Sequence, residues 1–158
     1  MSGNYIKPIA NFDFGVDDLY SPEQKELYQY WLDKKGDRVM PSKVDFDPID
    51  VPRILAFISM ENVTHDPLRF EVRLTGSKTS SLEDSKGQFI DEINGTEEIL
   101  IMLTQMVELK KPYIYTSKIN WDKRKYKTYS SLVLPFSDDG INVNLSMSCH
   151  HTLKITEE

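Results

Sequence analysis

The chain holds a single cysteine, Cys149, among its 158 residues. One thiol excludes an intrachain disulfide framework and any paired-cysteine metal or redox motif. Long apolar runs are missing as well. The longest, Ile99 to Leu103, falls far short of the roughly 20 residues that span a bilayer. Met1 to Tyr20 shows neither the basic n-region nor the apolar h-region of a secretory leader, so the expected location is cytoplasmic. Basic charge is scarce: 19 Lys+Arg against 25 Asp+Glu leave a net −6. That balance argues against a nucleic-acid partner and against a polybasic membrane anchor. No P-loop, nucleophile elbow or dinucleotide fingerprint is present. Gly76-Ser77-Lys78-Thr79 resembles only the end of a phosphate loop, without the leading glycine at the required spacing. What is present is enough chain for one core, burying roughly 70% of the unfolded surface.

Residues 1–20 show no sustained period and read as an irregular arm, ordered where Tyr5, Phe12 and Phe14 find a surface. Ser21-Pro22-Glu23-Gln24 has the form of a capping box and predicts a helix running to Lys35, stopped by Gly36. Its apolar residues Leu27, Tyr28, Trp31 and Leu32 make one wide face that needs a partner. Pro41, Pro48 and Pro52 exclude a long helix in the next stretch; a turn at Asp47-Pro48-Ile49-Asp50 leads to a short helix over 51–55. The period then changes to two. Phe57–Val63 and Arg69–Thr75 read as a hairpin around His65-Asp66-Pro67-Leu68, with Phe70, Val72 and Leu74 on one face. Residues 77–95 are polar, with Gly87 and Gly95 as breaks.

Thr96 opens a second long helix that ends near Lys111, before Pro112, with Ile99, Leu100, Leu103, Met106 and Val107 as its core stripe. Three more strands follow, over 113–120, 126–136 and 141–153. In the last, Ile141, Val143, Leu145, Met147 and Cys149 alternate with Asn142, Asn144, Ser146 and Ser148. Ser137-Asp138-Asp139-Gly140 predicts the hairpin before it. Helices on a mostly antiparallel five-stranded sheet make the fold class α+β.

That element order resembles the PAS fold. The resemblance is carried by Tyr30-Trp31-Leu32, Pro41, Asp45-Phe46-Asp47-Pro48, Leu55, Leu74-Thr75-Gly76 and Leu134-Pro135-Phe136-Ser137-Asp138-Asp139-Gly140. Together these are similar to the single-domain PAS-like proteins of alphaproteobacteria, over nearly all of the chain. The resemblance implies a five-stranded antiparallel sheet with helices on one face and an N-terminal helix, as a single domain over 21–153. It implies a non-enzymatic sensory or protein-interaction module in bacterial signalling. It also implies no haem or flavin: haem-binding relatives use a histidine on the long helix and flavin-binding ones a cysteine in that region, and 96–111 contains neither. Resembling proteins often pair through an N-terminal helix, so a homodimer through Leu27, Tyr28, Trp31 and Leu32 is expected; the alternative is that this face packs on its own sheet.

Any small molecule is expected between the long helix and the sheet, in an apolar site walled by Met60, Leu74, Met102, Met106, Leu132, Leu134 and Met147, with Tyr115 as the hydroxyl. Flexible, polarisable methionines can close over an empty site or reshape around a guest. A plain packed core is the competing reading. Two other function classes stay open, a small α+β enzyme built on one buried acid and a structural homodimer subunit. For the enzyme, only Glu61 and His151 stand as occupants of an apolar strand face.

Several further clusters have ordinary structural readings. Cys149 and His151 share a strand face, but two ligands do not make a zinc site; the other histidines are His65 and His150. Asp45/Asp47/Asp50 and Asp138/Asp139 lack EF-hand spacing, and Asx turns with an N-cap at Asp50 account for them. The basic, aromatic stretch Lys110, Lys111, Lys118, Lys123, Arg124, Lys125 and Lys127, with Tyr113, Tyr115, Trp121, Tyr126 and Tyr129, reads either as an edge blunted by lysines or as a dock for an acidic protein.

Overall fold

The computed structural model describes residues 9–77, 85–122 and 125–157. Two helices, α1 (Pro22–Lys35) and α2 (Glu97–Leu109), accompany β1 (Ile58–Thr64), β2 (Arg69–Thr75), β3 (Tyr113–Asp122), β4 (Lys125–Phe136) and β5 (Leu145–Glu157). The strands form one antiparallel sheet in the order β2-β1-β5-β4-β3. The connection carrying α2 therefore runs from one edge of the sheet to the other. This is the α+β, PAS-like arrangement.

The expected capping box forms only by half: Ser21 caps the helix, but the Gln24 side chain reaches past it to the preceding amide. Ser21 Oγ accepts from Gln24 N (3.1 Å), and Gln24 Oε1 accepts from Tyr20 N (3.0 Å). Gly36 ends α1 at φ 55°, a conformation that costs glycine little. Thr96 precedes α2 but does not cap it. Its hydroxyl donates instead to the carbonyls of Ile90 (2.8 Å) and Ile93 (2.7 Å), tying α2 to the 3-10 turn Ile90–Glu92. The short helix expected over 51–55 is replaced by 3-10 turns at Pro48–Asp50 and Leu55–Phe57. The N-cap of the first is Asp47 rather than Asp50, accepting from Ile49 N at 3.0 Å; Asp50 accepts instead from the Tyr30 hydroxyl at 2.8 Å.

The last strand starts four residues later than its alternation suggests. Asp139 Oδ1 accepts from the amides of Ile141 (2.8 Å) and Asn142 (2.7 Å), and a side chain that captures backbone donors takes them from the ladder. Ile141 is accordingly exposed. The described part of the arm, 9–20, is held against the fold, and Tyr5 lies outside the described residues. Asn11 exchanges two backbone hydrogen bonds with Ile114, Phe12 packs on Tyr113 at 5.1 Å and Phe14 on Tyr28 at 5.1 Å.

Register sorts the strand side chains onto two faces, because direct cross-strand partners point the same way. Ile58 pairs with Cys149 and Cys149 with Leu132; Met60 pairs with Met147 and Met147 with Leu134. These six buried residues make the outer face. α1 lies on it: Gln24 Nε2 donates to Ser130 Oγ, an outer-face side chain, and to the Cys149 carbonyl (3.2 Å), while Trp31 Nε1 donates to the Pro135 carbonyl (2.9 Å). The alternate residues Ser59, Glu61, Ser131, Ser146, Ser148 and His150, joined by Tyr113 and Tyr115 of β3, make the inner face. The crossover covers that side, with Met102, Leu103 and Met106 of α2 buried. Phe12, which lines one groove with Met102, also packs on the inner-face ring of Tyr113.

Candidate functional site

The inner face is unusual in its chemistry. A sheet face under a helix is ordinarily apolar, yet here its centre carries a carboxyl, an imidazole, two phenols and several hydroxyls. Glu61 of β1 is buried and accepts one hydrogen bond, from Ser146 Oγ at 2.6 Å. Among the described residues no ion pair reaches it. Burial, only partly opposed by the Ser146 bond, pushes its pKa from 4.5 up to about 7, since desolvation penalises the charged form. The group therefore stands near half-protonation at neutral pH and can either donate or accept.

His150 of β5 lies between two serines. Ser59 Oγ is 2.9 Å from Nε2 and Ser131 Oγ is 2.7 Å from Nδ1. Desolvation lowers its pKa from 6.5 to about 4, so the ring is neutral at physiological pH, with both nitrogens occupied. Tyr113 and Tyr115 stack at 6.1 Å. Burial raises both phenols, and the negative charge of Glu61 pushes the same way, which puts the two tyrosines within the field of that carboxyl.

The face offers hydrogen-bonding groups at its centre. A histidine with so low a pKa and both nitrogens engaged is a weak base for activating Ser59. Cys149 faces the other way, under α1, and burial pushes its thiol up to about 12, leaving almost no thiolate for nucleophilic chemistry. Among the described residues, no group of three or more His, Cys, Asp or Glu side chains could hold a metal ion. His65 is engaged with the Val143 carbonyl through Nε2 at 2.8 Å.

The residues expected to wall one cavity are divided by the sheet. Met102, Met106 and Tyr115 belong to the inner side. Met60, Leu132, Leu134 and Met147 point to the outer face, beneath α1. Leu74 follows its partner Met60 to the outer side but sits on the edge strand, 38% exposed. Opposite Glu61 stands Val72 but opposite Met60 stands Leu74, so Arg73 is an extra residue on β2. Such a bulge reverses the alternation beyond it, leaving Phe70 and Val72 buried and turning Leu74 out.

The helix expected to pair two copies packs its apolar face on the chain's own sheet. Leu27 and Trp31 are buried against the chain's own sheet, and Tyr28 and Leu32 are half-buried, Tyr28 stacking on Trp31 at 6.3 Å. Of the two residues considered for an apolar strand face, Glu61 is buried and His151 is half-buried; the ring on the Glu61 face is its half-buried neighbour His150. Sequence reasoning placed the alternating hydroxyls of β5 opposite the core and so missed the site they help to build. Their signal was present in Ser146-x-Ser148-x-His150, one face of one strand.

The acids at 45–50 and 138–139 are structural. Asp138 accepts from Ser42 Oγ (2.6 Å), Lys43 N (3.1 Å) and Asn144 Nδ2 (2.7 Å), which hold its carboxyl below the ordinary range. Asp45 accepts from Ser42 N and Arg38 Nη2, both at 2.8 Å. In the basic, aromatic stretch, Lys123 and Arg124 lie outside the described residues, as do the side chains of 118–128; Lys78 and Thr79 lie outside them too. No helix among the described residues is long and apolar enough to cross a membrane.

Comparison with known proteins agrees with this geometry. The family model described as PAS domain matches residues 19–146. No curated protein matches the chain, and no solved structure does. PAS domains are sensory and interaction modules. By a match that covers most of its length and by the strand order of its sheet, the chain belongs to the PAS-domain family.

Proposed function

We propose that the chain is a non-enzymatic sensory and interaction module of bacterial cytoplasmic signalling, and that its inner sheet face receives a small amphipathic molecule. The apolar body of that ligand would lie against Met102 and Met106 and its polar head against Glu61, with Tyr113 and Tyr115 alongside. One observation carries this reading. A buried carboxyl with a single serine partner and no cation among the described residues costs stability, and a ligand that completes its hydrogen bonding recovers part of that cost. Self-association through α1 forms no part of this reading, because Leu27 and Trp31 are occupied by the chain's own sheet.

The test is a thermal-shift screen of the purified chain against small amphipathic amines, alcohols and amides, run in parallel on Glu61→Gln. Compounds that raise the melting temperature of the wild type and lose that effect in Glu61→Gln support the reading. A screen without stabilising compounds, or equal shifts in both proteins, would sink it and leave the interaction role alone.

A further inference from the structure

A second feature lies outside the inner face and is independent of Glu61. Between the arm and the solvent side of α2 runs an open groove of about 500 Å³. Phe12 and Met102 contribute to its lining, and Ile9, Ile101 and Leu109 line it while remaining 81%, 55% and 52% exposed. Large apolar side chains left this exposed and lined up on one groove are a feature of interaction sites rather than of scattered surface residues. The α2 positions involved, Glu98, Ile101, Met102, Gln105, Glu108 and Leu109, recur at three- and four-residue intervals and form one stripe, about 16 Å long at 1.5 Å per residue.

Two properties select the occupant. The stripe spans three helical turns, the length over which a partner helix presents apolar side chains at i, i+4 and i+7. Among the described residues its charged lining is acidic, Glu98 and Glu108, with Glu97 beside one end and Lys110 and Lys111 following the other. We propose that this groove receives a short amphipathic, basic helix of a partner protein, its apolar side chains between Phe12, Ile101 and Leu109 and its Lys or Arg residues against Glu108.

The experiment uses the full chain and two fluorescein-labelled synthetic helices of about four turns, one built from leucine and lysine and the other from leucine and glutamate. Binding is followed by fluorescence anisotropy, with light scattering on the same samples. The basic helix should bind and the acidic one should not. Ile101→Asp and Glu108→Lys should each weaken binding about tenfold or more, as expected for a central anchor and a facing charge. Both positions are exposed, so unchanged melting temperatures will show that the variants fold. Ile49→Asp, at an exposed apolar residue on a 3-10 turn elsewhere, should leave binding unchanged. Equal binding of both helices, absence of binding, or an equal loss in Ile49→Asp would overturn the proposal. So would a dimer that Ile101→Asp dissociates, since the groove would then be an interface between two copies.

Discussion

The same strands build the two faces of the sheet in opposite ways. Under α1 the outer face is sealed: Leu27, Trp31, Leu132, Leu134, Met147 and Cys149 are buried, and the polar atoms among them are matched, Gln24 to β4 and β5 and the Trp31 indole to Pro135. Across the sheet, under α2, the inner face buries Glu61 with no cation beside it among the described residues and holds His150 half-buried at a depressed pKa. Stability is made on the first face and given up on the second. Residues that carry the family resemblance concentrate on the first. Besides the Trp31 bond, the Pro41 carbonyl accepts from Ser137 N (2.9 Å), and Asp138 ties Ser42 to the β4–β5 turn. Gly76 belongs with them, since a Cβ there would collide with the backbone carbonyls of Ala56 and Leu55. A motif can therefore mark how a fold is latched while the chemistry lies elsewhere.

The largest effect should come from breaking the sealed face. Trp31→Ala should cost about 3–5 kcal/mol through lost burial and the remaining cavity, read from the urea midpoint; a cost below 1 kcal/mol would contradict the packing described. Next, Glu61→Gln at pH 8 should stabilise the chain, by about 2–3 kcal/mol at most. The sign follows from the two pKa values. The raised group Glu61 contributes stability fully below 4.5 and loses it as pH rises through about 7. The depressed group His150 contributes fully above 6.5 and loses it as pH falls through about 4. The two slopes oppose each other between 4.5 and 6.5, so the wild type should change little there, while Glu61→Gln should gain stability as pH rises over the same interval. Identical pH profiles for both proteins would show that Glu61 is not desolvated.

Gln24→Ala should cost about 1–3 kcal/mol, because it strands buried acceptors on Ser130 and Cys149. A double-mutant cycle with Ser130→Ala separates that loss from helix capping. Smallest of all, Arg53→Ala removes the ion pair to Glu26 (2.7 Å), whose arginine is 82% exposed; the denaturation midpoint should move by no more than about 0.5 kcal/mol. A larger loss would place part of the outer face's stability in surface charge rather than in burial.

Much of the architecture was legible from local rules. The Ser21 cap and the stop at Gly36 set the limits of α1. Period-two alternation located β1 and β2, and Asp138-Asp139-Gly140 marked the last hairpin. Each rests on interactions between residues a few positions apart, which sequence displays directly. The site was less legible because it depends on what lies across the sheet. Alternation in β5 separates Ser146, Ser148 and His150 from Met147 and Cys149, but it does not say which set meets α2 and which meets α1. A long amphipathic helix beside a strand with one apolar face suggests that the two pack together, and here they do not.

Capping, turns and strand periods were settled within the chain's own local order, because their hydrogen bonds and steric limits close within a few residues. Which face became the sealed core and which the polar one was decided only in three dimensions. Gln24 reaches Ser130 and Cys149 across more than a hundred residues and claims the Met147 face for α1. The crossover between the edge strands is left with the other side, and one extra residue at Arg73 turns Leu74 from the inner face to the exposed edge of the outer one. These outcomes follow from competition among distant surfaces for burial, which no local pattern records.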